Sequence, residues 1–314
     1  MEKEMKINSL KYSKENGEDI NDSYIQKVGV LLESLPYIKE YFNKVVVVKI
    51  GGSMMEDDSI IKSVLDDLVL MKFVGIKVVL IHGGGKQITK LMEERGIKAK
   101  FIDGLRITTK EVINIVKMVL VGSINSRIVS FLNQHGDIAV GVSGNDANFI
   151  KCSKKVYKKD GVEVDLGYVG EVENIDRKFL DDILSNNHIP VIATLGVDEK
   201  GNSYNINADS CASDIARSLK AEKMIMLTDV DGIFDGKGKN GIKLISRLTS
   251  RQCIEMIENG KINSGMIPKV RACMDALDAG VGRTHILNGT REHSVLVEIF
   301  TDKGIGTMIT TKKV

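Results

Sequence analysis

The stretch KVVVVKIGGS, residues 44–53, predicts a buried β-strand that runs directly into a glycine turn. β-Branched residues favour strands, and a short apolar run bounded by glycine is typical of a strand covered on both faces. The pattern returns in KVVLIHGGG, residues 77–85, after a segment with helical periodicity at residues 59–74. A strand, a helix and a second strand in this order predict a parallel βαβ unit.

The same alternation continues along the chain. It predicts an α/β protein, a three-layer αβα sandwich around a mostly parallel open central sheet. In such sheets ligands bind at the carboxyl ends of the strands, which is where the glycine clusters fall. Residues 149–172 alternate in a way that predicts a hairpin excursion. Further strands are predicted at 138–141, 189–195, 224–228, 283–287 and 306–309, and further helices at 87–95, 110–134, 179–187, 208–219, 250–259 and 266–279.

The amino-terminal region differs from this pattern. Residues 1–23 are polar and aperiodic, which predicts a disordered or loosely attached leader. Apolar residues then recur at helical spacing, and Pro36 predicts an interruption or a bend. The helix either packs on its own domain or docks on another subunit. Its apolar positions are Ile25, Val28, Leu31, Leu32, Leu35 and Ile38.

Composition narrows the range of partners. The 44 Lys and Arg residues nearly balance the 42 Asp and Glu residues, so no basic field favours nucleic acid or an anionic membrane. The apolar runs at residues 45–48 and 78–81 are too short to span a bilayer, and no secretory signal is visible. The cysteines are scattered, which argues against zinc and disulfides and favours a reducing, cytoplasmic compartment. No His, Asp and Glu cluster with metal-ligand spacing is evident, so no protein-held metal is predicted.

Five short segments carry the chemical signal. Two glycine clusters end successive strands, one of them just after Lys49, and consecutive glycines let backbone N–H groups approach phosphate oxygens. The segment NINAD, residues 205–209, precedes a predicted helix and is a phosphate-side motif or only a helix cap. Lys269 lies just inside a helix start, where a bound anion would offset its unfavourable position. The segment LTDVDG, residues 227–232, either binds the ribose of a nucleotide or is only a turn.

Other nucleotide motifs are absent. The P-loop pattern fails because Lys86 is followed by Gln87, and no GxGxxG follows the first strand. The protein-kinase loop set is also missing. His82 is predicted to be a hydrogen-bonded structural residue, and His135 and His188 to lie at the surface or at helix ends.

Taken together, these segments resemble the amino-acid kinase family, and within it the acetylglutamate kinases. The resemblance runs from about residue 24 to residue 308. Its discriminating piece is GLRIT, residues 104–108, and the segment LGYVGEV, residues 166–172, is similar to the family's substrate-side hairpin. The other matching segments are KIGGS (49–53), HGGG (82–85), NINAD (205–209), LTDVDG (227–232) and GMIPKV (265–270).

The resemblance implies ATP-dependent phosphorylation of the side-chain carboxylate of N-acetyl-L-glutamate in arginine biosynthesis, with Mg²⁺ held mainly by the ATP phosphates. It implies that Lys49 and Lys269 contact the phosphoryl group and that Asp209 orients both lysines. Arg106 and Asn205 would hold the α-carboxylate end of the substrate. The remaining implied ligand contacts are those of Gly84 and Gly85 with substrate, and of Gly51, Gly52, Thr228, Asp229, Asp231 and Gly232 with phosphate and nucleotide.

Regulation and assembly are also implied. The amino-terminal helix resembles the one that interlaces dimers into a hexameric ring, a trimer of dimers, in the arginine-inhibited branch of the family. His285, Glu298 and Gly304 align with residues of that branch's arginine site, so L-arginine is an expected inhibitor. The implied division is a leader and helix (1–43), an N-lobe for substrate, phosphoryl group and dimer contact (44–220), and a C-lobe for ATP and arginine (221–314).

Two departures and three alternatives accompany this reading. Asn145 stands where a lysine is commoner in the family, and Asn288 where an aspartate is commoner. A kinase for carrier-bound aminoadipate or glutamate is disfavoured by residues 104–108. Glutamate 5-kinase and aspartate kinase usually carry an added carboxyl-terminal regulatory domain, for which this chain leaves no room. A non-catalytic arginine sensor is disfavoured by the retention of Lys49, Asp209 and Lys269.

Overall fold

The computed structural model describes residues 20–235, 243–302 and 304–311. The chain divides into two compact units, one ending at Glu40 and the other beginning at Tyr41. Residues 1–19 of the predicted leader lie outside the described residues. Residues 20–23, also predicted as leader, are instead the first turn of a helix. The helices are α1 (Ile20–Tyr41), α2 (Asp58–Phe73), α3 (Gly85–Glu94), α4 (Lys110–Lys117), α5 (Ser126–Leu132), α6 (Arg177–Ser185), α7 (Ala208–Leu219), α8 (Ser250–Glu258), α9 (Ile267–Asp278) and α10 (Ser294–Phe300).

The strands and the non-α turns complete the second unit. A π-helical segment, Met118–Asn125, joins α4 to α5, and short 3₁₀ turns occupy Gly52–Glu56, Asn133–His135 and Asp146–Asn148. The strands are β1 (Val45–Ile50), β2 (Lys77–His82), β3 (Phe101–Ile102), β4 (Leu105–Arg106), β5 (Ala139–Ser143), β6 (Ile150–Lys154), β7 (Tyr157–Lys159), β8 (Val162–Val164), β9 (Gly170–Ile175), β10 (Ile189–Ala193), β11 (Leu195–Val197), β12 (Ser203–Asn205), β13 (Lys223–Thr228), β14 (Arg247–Thr249), β15 (Arg283–Asn288) and β16 (Thr307–Thr310).

The central sheet has eight strands in the order β14-β16-β15-β13-β1-β2-β10-β5. The pairs from β15 to β5 are parallel, and β16 runs antiparallel to β15 with β14 parallel to β16. β1 lies between β2 and β13, so the chain extends the sheet first to one side of β1 and later to the other. Such a switch point opens a crevice at the carboxyl ends of the strands.

Two hydrophobic clusters cover the two faces of this sheet, so the predicted three-layer α/β fold is confirmed. The period-two alternation of β1 sends Val46 and Val48 into one cluster and Val47 into the other. The first cluster includes residues of α2, α3, α4, α5 and α10. The second includes residues of α6, α7, α8 and α9.

A smaller sheet has the order β12-β11-β6-β9; β6 and the start of β9 come from the predicted excursion at 149–172, and β11 and β12 come from a later part of the chain. It frames one side of the crevice because Asn205, the last residue of β12, bridges to Val169. Two small hairpins accompany it, β3–β4 and β7–β8. Sequence patterning gave no sign of β3, β4, β11, β12 or β14, because strands of two or three residues are too short to show a period.

Helix α1 is continuous from Ile20 to Tyr41 with Pro36 inside it, so of the two outcomes predicted at the proline, an interruption or a bend, the interruption is wrong. A proline removes only its own N–H bond to the preceding turn, and the remaining hydrogen bonds of a 22-residue helix persist. The apolar side chains of Val28, Leu31 and Leu32 are exposed on the described chain.

Among the described residues, one helical stretch, Lys110–His135, is long and apolar enough by length and composition to cross a membrane. The sequence pattern predicts an ordinary helix of the fold at residues 110–134. Its residues Val112, Ile115, Leu120 and Leu132 belong to the first hydrophobic cluster. A buried helix of a layered α/β protein has the same composition as a membrane span, so this resemblance is weak evidence.

Helix α10 is capped by a carboxylate from another helix. Asp67, in α2, is fully buried; its Oδ2 accepts hydrogen bonds from the N–H groups of Val295 at 3.2 Å and Leu296 at 3.4 Å. Its Oδ1 lies 2.7 Å from Nδ1 of His293. The free N–H groups of the first helical turn attract an anion, so Asp67 fastens α10 to α2. Sequence patterning missed both this cap and α10 itself.

Replacing Asp67 with alanine is expected to lower the free energy of unfolding by about 1–3 kcal/mol, because it leaves buried N–H donors unpaired. Urea denaturation measures the change. Asp66→Ala is the control, since Asp66 meets His135 at 3.4 Å on the exposed side of the same helix. Equal effects of the two substitutions would contradict the capping role.

The Asp67–His293 pair also predicts a pH dependence of stability. Burial raises the pKa of Asp67, and the hydrogen bond that His293 donates to Asp67 raises the pKa of His293. His293 therefore binds its proton more readily in the folded state, so its contribution to stability is complete below the ordinary histidine pKa of about 6.5 and is lost as pH rises through the higher folded-state pKa. We expect His293→Ala to cost more stability at pH 6 than at pH 9.

Candidate active site

Two lysines share one buried carboxylate at the carboxyl end of the sheet. Lys49 Nζ lies 2.7 Å from Asp209 Oδ1, and Lys269 Nζ lies 3.5 Å from Asp209 Oδ2. Burial alone would raise the pKa of Asp209, but the two lysines outweigh burial and hold that pKa below its ordinary value. Asp209 is therefore an anion that fixes two ammonium groups side by side.

Three separate elements place these groups. Lys49 is the penultimate residue of β1 and pairs in register with Met226 of β13. Asp209 lies in the first turn of α7, whose N-cap is Asn207, with Oδ1 accepting from the N–H of Asp209 at 2.9 Å. Lys269 lies in the first turn of α9. The unfavourable position of a lysine at that helix start is offset by Asp209.

The two glycine clusters meet at the same edge of the sheet. A Cβ at Gly52 would lie 3.2 Å from Gly85 N, so the two turns pack backbone to backbone. A Cβ at Gly84 would lie 2.5 Å from Ile124 Cδ1 and 2.7 Å from Leu120 Cδ2. Gly84 is also the N-cap of α3, whose first N–H groups have no partner within the helix. The arrangement offers backbone donors to an anion.

A buried histidine fixes this turn. His82 is fully buried, and burial lowers its pKa to about 4, so its ring is neutral near pH 7. Nδ1 lies 3.1 Å from the carbonyl of Gly83, and Nε2 lies 3.1 Å from Asn125 Nδ2, which also donates to Val191 O at 2.8 Å. Since the Asn125 amide must donate, His82 carries its proton on Nδ1 and donates it to Gly83. The structural role predicted for His82 fits these contacts.

Asn125 lies at the end of the π-helical segment, and sequence reasoning did not select it. Leu120 and Ile124 of the same segment form the floor beneath Gly84. π-Helical turns are rare and often occur at functional sites. Nothing in the apolar sequence MVLVGSIN distinguishes this segment from an ordinary α-helix, so no local signal could have identified it.

Arg106 forms another side of the site. It is buried, and its guanidinium carbon lies 4.6 Å from the ring centroid of Phe101. Nη2 donates to Gly85 O at 2.7 Å and to Thr89 Oγ1 at 2.8 Å. Burial lowers the pKa of Arg106, yet a guanidinium retains its charge in proteins. The group is therefore a fixed cation in this wall.

Thr108 connects Arg106 to Asn205; the sequence marked it only as the last residue of the GLRIT segment and gave it no role. Its Oγ1 donates to the carbonyl of Arg106 at 2.9 Å and accepts from Asn205 Nδ2 at 3.5 Å. Its own carbonyl accepts from Tyr168 N at 2.6 Å. A Cβ at Gly167 would lie 2.3 Å from that carbonyl, and Gly167 has φ 74°, so only glycine fits there.

These groups surround a cavity of about 220 Å³. Among the described residues that line it, Asp209 is the single carboxylate, and the cations are Lys49 and Arg106. The structure thus brings together seven of the residues singled out from the sequence: Lys49, Gly52, Gly84, Gly85, Arg106, Asn205 and Asp209. Lys269 is connected to this cavity by its ion pair with Asp209.

The segment at 227–232 lies outside this cavity lining. Thr228 Oγ1 lies 3.2 Å from Asp229 Oδ1. Asp231 is an ion-pair partner of Arg291 at 2.6 Å and accepts from Asn288 Nδ2 at 2.9 Å, and these bonds lower its pKa. The Asp231 carboxylate is thus engaged within the turn. A Cβ at Gly232 would lie 2.5 Å from Thr307 Oγ1, and Gly51 is likewise not among the residues that line the cavity.

The three residues of the predicted effector site lie together, apart from the cavity lining. His285 Nδ1 is 2.7 Å from Glu298 Oε1, and both side chains are buried. Glu298 Oε2 accepts from Ile305 N at 3.1 Å, and a Cβ at Gly304 would lie 2.9 Å from that oxygen. Burial lowers the pKa of His285, whereas His285 and the nearby Lys223 outweigh burial and lower the pKa of Glu298.

The two departures from the family pattern have structural partners. Asn145 Nδ2 donates to Ser203 Oγ at 2.8 Å. Asn288 Oδ1 accepts from the N–H of Thr290 at 2.9 Å, and its Nδ2 donates to Asp231.

The four cysteines are buried and free, as predicted, and burial raises the pKa of each of them.

Comparison with known proteins agrees with this architecture. The model of the amino acid kinase family matches residues 44–288. An acetylglutamate kinase of Caldicellulosiruptor bescii is 46% identical over 289 residues, 92% of this chain and 98% of that protein. One from Methanocaldococcus jannaschii is 47% identical over 291 residues, 91% of this chain and 97% of that protein.

Solved structures share the fold. The N-acetylglutamate synthase of Neisseria gonorrhoeae, complexed with coenzyme A and N-acetyl-glutamate, has a TM-score of 0.81 and 28% identity over 91% of this chain. This chain spans 64% of that structure's chain. A carbamate kinase from Giardia lamblia, bound to AMP-PNP, has a TM-score of 0.63 at 17% identity over 86% of this chain and 99% of that one, a likeness of fold.

The chain belongs to the amino-acid kinase family, and within that family it belongs with the acetylglutamate kinases. It is a kinase, an enzyme that transfers a phosphoryl group.

Proposed function

We propose that this kinase transfers the γ-phosphoryl group of ATP to the side-chain carboxylate of N-acetyl-L-glutamate, giving N-acetyl-L-glutamyl 5-phosphate in arginine biosynthesis. The observation that carries the proposal is the Lys49–Asp209–Lys269 cluster beside a cavity that contains Arg106. The names of the relatives support the choice of substrate.

The chemistry suits these groups. The side-chain carboxylate of glutamate has a pKa of about 4.3, so the nucleophile is already an anion at neutral pH and needs no general base. The barrier is the approach of one anion to another, and catalysis must come from positioning and charge stabilisation. Lys49 and Lys269 supply positive charge, and the turn at Gly84 supplies backbone donors. Asp209 holds the lysines and takes no proton.

A magnesium ion would be carried by ATP. The single carboxylate among the described cavity residues, Asp209, is engaged by two ammonium groups, so it is poorly placed to bind a cation. No group of three or more His, Cys, Asp and Glu side chains in the described ranges could hold a metal ion. When bound, Mg²⁺ would neutralise charge on the transferring phosphates.

The substrate end of the cavity is suited to a carboxylate. Arg106 supplies a fixed guanidinium, and a guanidinium binds a carboxylate through charge-assisted hydrogen bonds. Its Nη2 donates to Gly85 O and Thr89 Oγ1, and its Nη1 lies 3.2 Å from Met92 Sδ, so a two-bond pair requires the carboxylate to displace one of these contacts. Asn205 supplies an amide on the neighbouring wall. We assign the α-carboxylate to Arg106 and Asn205 and the side-chain carboxylate to the lysine end. Thr228, Asp229 and Gly232 are assigned to the nucleotide side, where Asp231 would first have to leave Arg291.

The test is acyl phosphate formation from ATP, Mg²⁺ and free N-acetyl-L-glutamate, trapped with hydroxylamine as the hydroxamate and compared with ADP release. Equal amounts of hydroxamate and ADP are the expected result. Folded enzyme that forms neither product would overturn the proposal. In that case carrier-bound aminoadipate or glutamate becomes the substrate to test, and then direct arginine binding by a non-catalytic sensor.

We further propose that L-arginine inhibits the enzyme at His285, Glu298 and Gly304. The Glu298 carboxylate is ionised because His285 and Lys223 lower its pKa, and an ionised carboxylate pairs well with a guanidinium. To reach Glu298, the guanidinium of arginine would displace the contact between His285 and Glu298.

The four free cysteines fit a reducing, cytoplasmic setting.

Glu298→Gln is expected to raise the arginine concentration for half-inhibition at least about tenfold, because it removes a charge-assisted pair worth on the order of 1.5–3 kcal/mol. Glutamine still accepts the hydrogen bond from Ile305 N, so the local backbone keeps its partner. Inhibition curves measure the effect. Glu292→Gln, at an exposed neighbouring position, is the control. Wild-type enzyme that is insensitive to arginine would remove the regulation and leave the kinase.

We also propose that α1 mediates assembly into a trimer of dimers. The apolar side chains of Leu31 and Leu32 are 69% and 63% exposed on the described chain, a pattern that suits burial in a subunit contact. The double variant Leu31→Glu, Leu32→Glu is expected to reduce the mass measured by light scattering from hexamer to dimer, whereas Lys27→Glu should not.

The boundary between the proposed N-lobe (44–220) and C-lobe (221–314) would lie in the chain between α7 and β13.

A further inference from the structure

The β3–β4 hairpin is too small to hold its own position. It has two residue pairs, Phe101 with Arg106 and Ile102 with Leu105, and isolated two-stranded hairpins are marginal in water. Asp103 and Gly104 form its turn with φ of 45° and 80°. Its position matters because Arg106 and Leu105 line the substrate cavity.

A second hairpin reaches the tip of the first. β7 and β8 pair Tyr157 with Val164 and Lys159 with Val162. None of its described residues lines the 220 Å³ cavity. The hydroxyl of Tyr157 donates to Asp103 Oδ2, and Lys159 Nζ lies 3.7 Å from Asp103 Oδ1. The turn of β3–β4 is therefore held from outside by both oxygens of one carboxylate.

Strand geometry explains why these two side chains act together. Residues two apart on a strand point to the same face, so Tyr157 and Lys159 both face Asp103 while Lys158 points away. The Tyr157 hydrogen bond and then Lys159 hold the pKa of Asp103 below its ordinary value, and the same hydrogen bond raises the pKa of Tyr157. At neutral pH the phenol is a donor and the carboxylate an acceptor, as the contact requires.

From these contacts we propose that the β7–β8 hairpin is a strut for the substrate site, and that Tyr157 and Lys159 position Arg106 through Asp103. The strut fixes the distance between the β3–β4 hairpin, which carries Arg106, and the residues Gly85 and Thr89. This proposal rests on the proposed function, in which Arg106 receives the substrate α-carboxylate. Tyr157 and Lys159 touch no substrate; they are positioning residues.

The test is a pair of single variants and their combination in the full-length enzyme. Tyr157→Phe removes one oxygen and Asp103→Ala removes the acceptor. Each is expected to raise the KM for acetylglutamate about three- to tenfold, the size of one hydrogen bond, with kcat and the KM for ATP within about twofold of the wild type. The double variant should raise KM no further than Asp103→Ala alone. Lys158→Ala, on the opposite face, is the matched control.

Two outcomes for the KM for acetylglutamate would overturn the proposal. One is additive effects of the two substitutions, because residues in one contact must be non-additive. The other is a KM equal to that of Lys158→Ala. A fall in kcat together with a rise in both KM values would indicate general damage to the site and would count against the strut.

A second measurement separates this proposal from the proposed function. Amide hydrogen exchange over residues 100–107 of the ligand-free enzyme should be faster in Tyr157→Phe than in the wild type and unchanged in Lys158→Ala. If the wild type makes no acyl phosphate from acetylglutamate, the proposed function fails and exchange alone decides for the strut. Unchanged exchange in Tyr157→Phe overturns the strut even where the enzyme is active.

Discussion

Lys49→Met should lower kcat for acyl phosphate formation about a thousandfold, the scale of losing one preorganised donor to transition-state charge. Lys49 is buried, lies 2.7 Å from Asp209 and lines the cavity. Because the site is buried, a cation from the solvent does not replace the lost ammonium group. Methionine fills nearly the same volume, which separates loss of charge from loss of packing. Steady-state kinetics with hydroxylamine trapping measures the effect.

The control for this prediction is Lys44→Met, just before the same strand. Lys44 is about half exposed and meets Glu222 at 3.6 Å, and exposed pairs of this kind contribute little. Thermal melting must accompany the kinetics, because removing Lys49 weakens the pairing of a buried carboxylate. A folded Lys49→Met enzyme that retains kcat within tenfold of the wild type would contradict a catalytic role for Lys49.

Arg106→Met should raise the KM for acetylglutamate about a hundredfold and leave the KM for ATP within about twofold of the wild type. A bidentate pair with a carboxylate is lost, and a buried wall that carried a fixed charge becomes neutral. Arg106→Lys should recover only part of the loss, because an ammonium group cannot reproduce the planar fork. Kinetics at saturating ATP separates the two substrates.

Arg95→Met is the control for Arg106, because Arg95 is exposed and its Nη2 lies 3.9 Å from Met118 Sδ. Equal increases in the KM values for ATP and acetylglutamate would contradict the assignment of Arg106 to the substrate carboxylate. They would indicate that Arg106 supports the whole site through Gly85 and Thr89.

Much of the fold could be predicted because its signals are local. The valine run of β1 and the helical period of α2 each lie within one element, and together they predicted the parallel layered sheet. The glycine clusters marked the ligand edge for the same reason. Pro36 misled because a rule about one hydrogen bond was applied to a helix of 22 residues.

The site was predictable only in part. Lys49 stood out beside a glycine turn, and Arg106 and Asp209 stood out by resemblance to a family. The residues that hold them had no such mark. Asn125 is one polar residue in an apolar helix, and Thr108 and Tyr157 resemble many exposed strand residues in sequence. Their importance depends on distant partners: His82, Asn205 and Asp103.

The alternation of strands and helices, the buried faces and the positions of the glycine turns follow from local sequence, because periodicity and backbone sterics act over a few neighbouring residues. The sharing of Asp209 by Lys49 and Lys269, the capping of α10 by Asp67 and the contact of Tyr157 with Asp103 arise when the chain folds. These contacts join residues far apart in the chain, and the packing of whole elements across the sheet sets their distances.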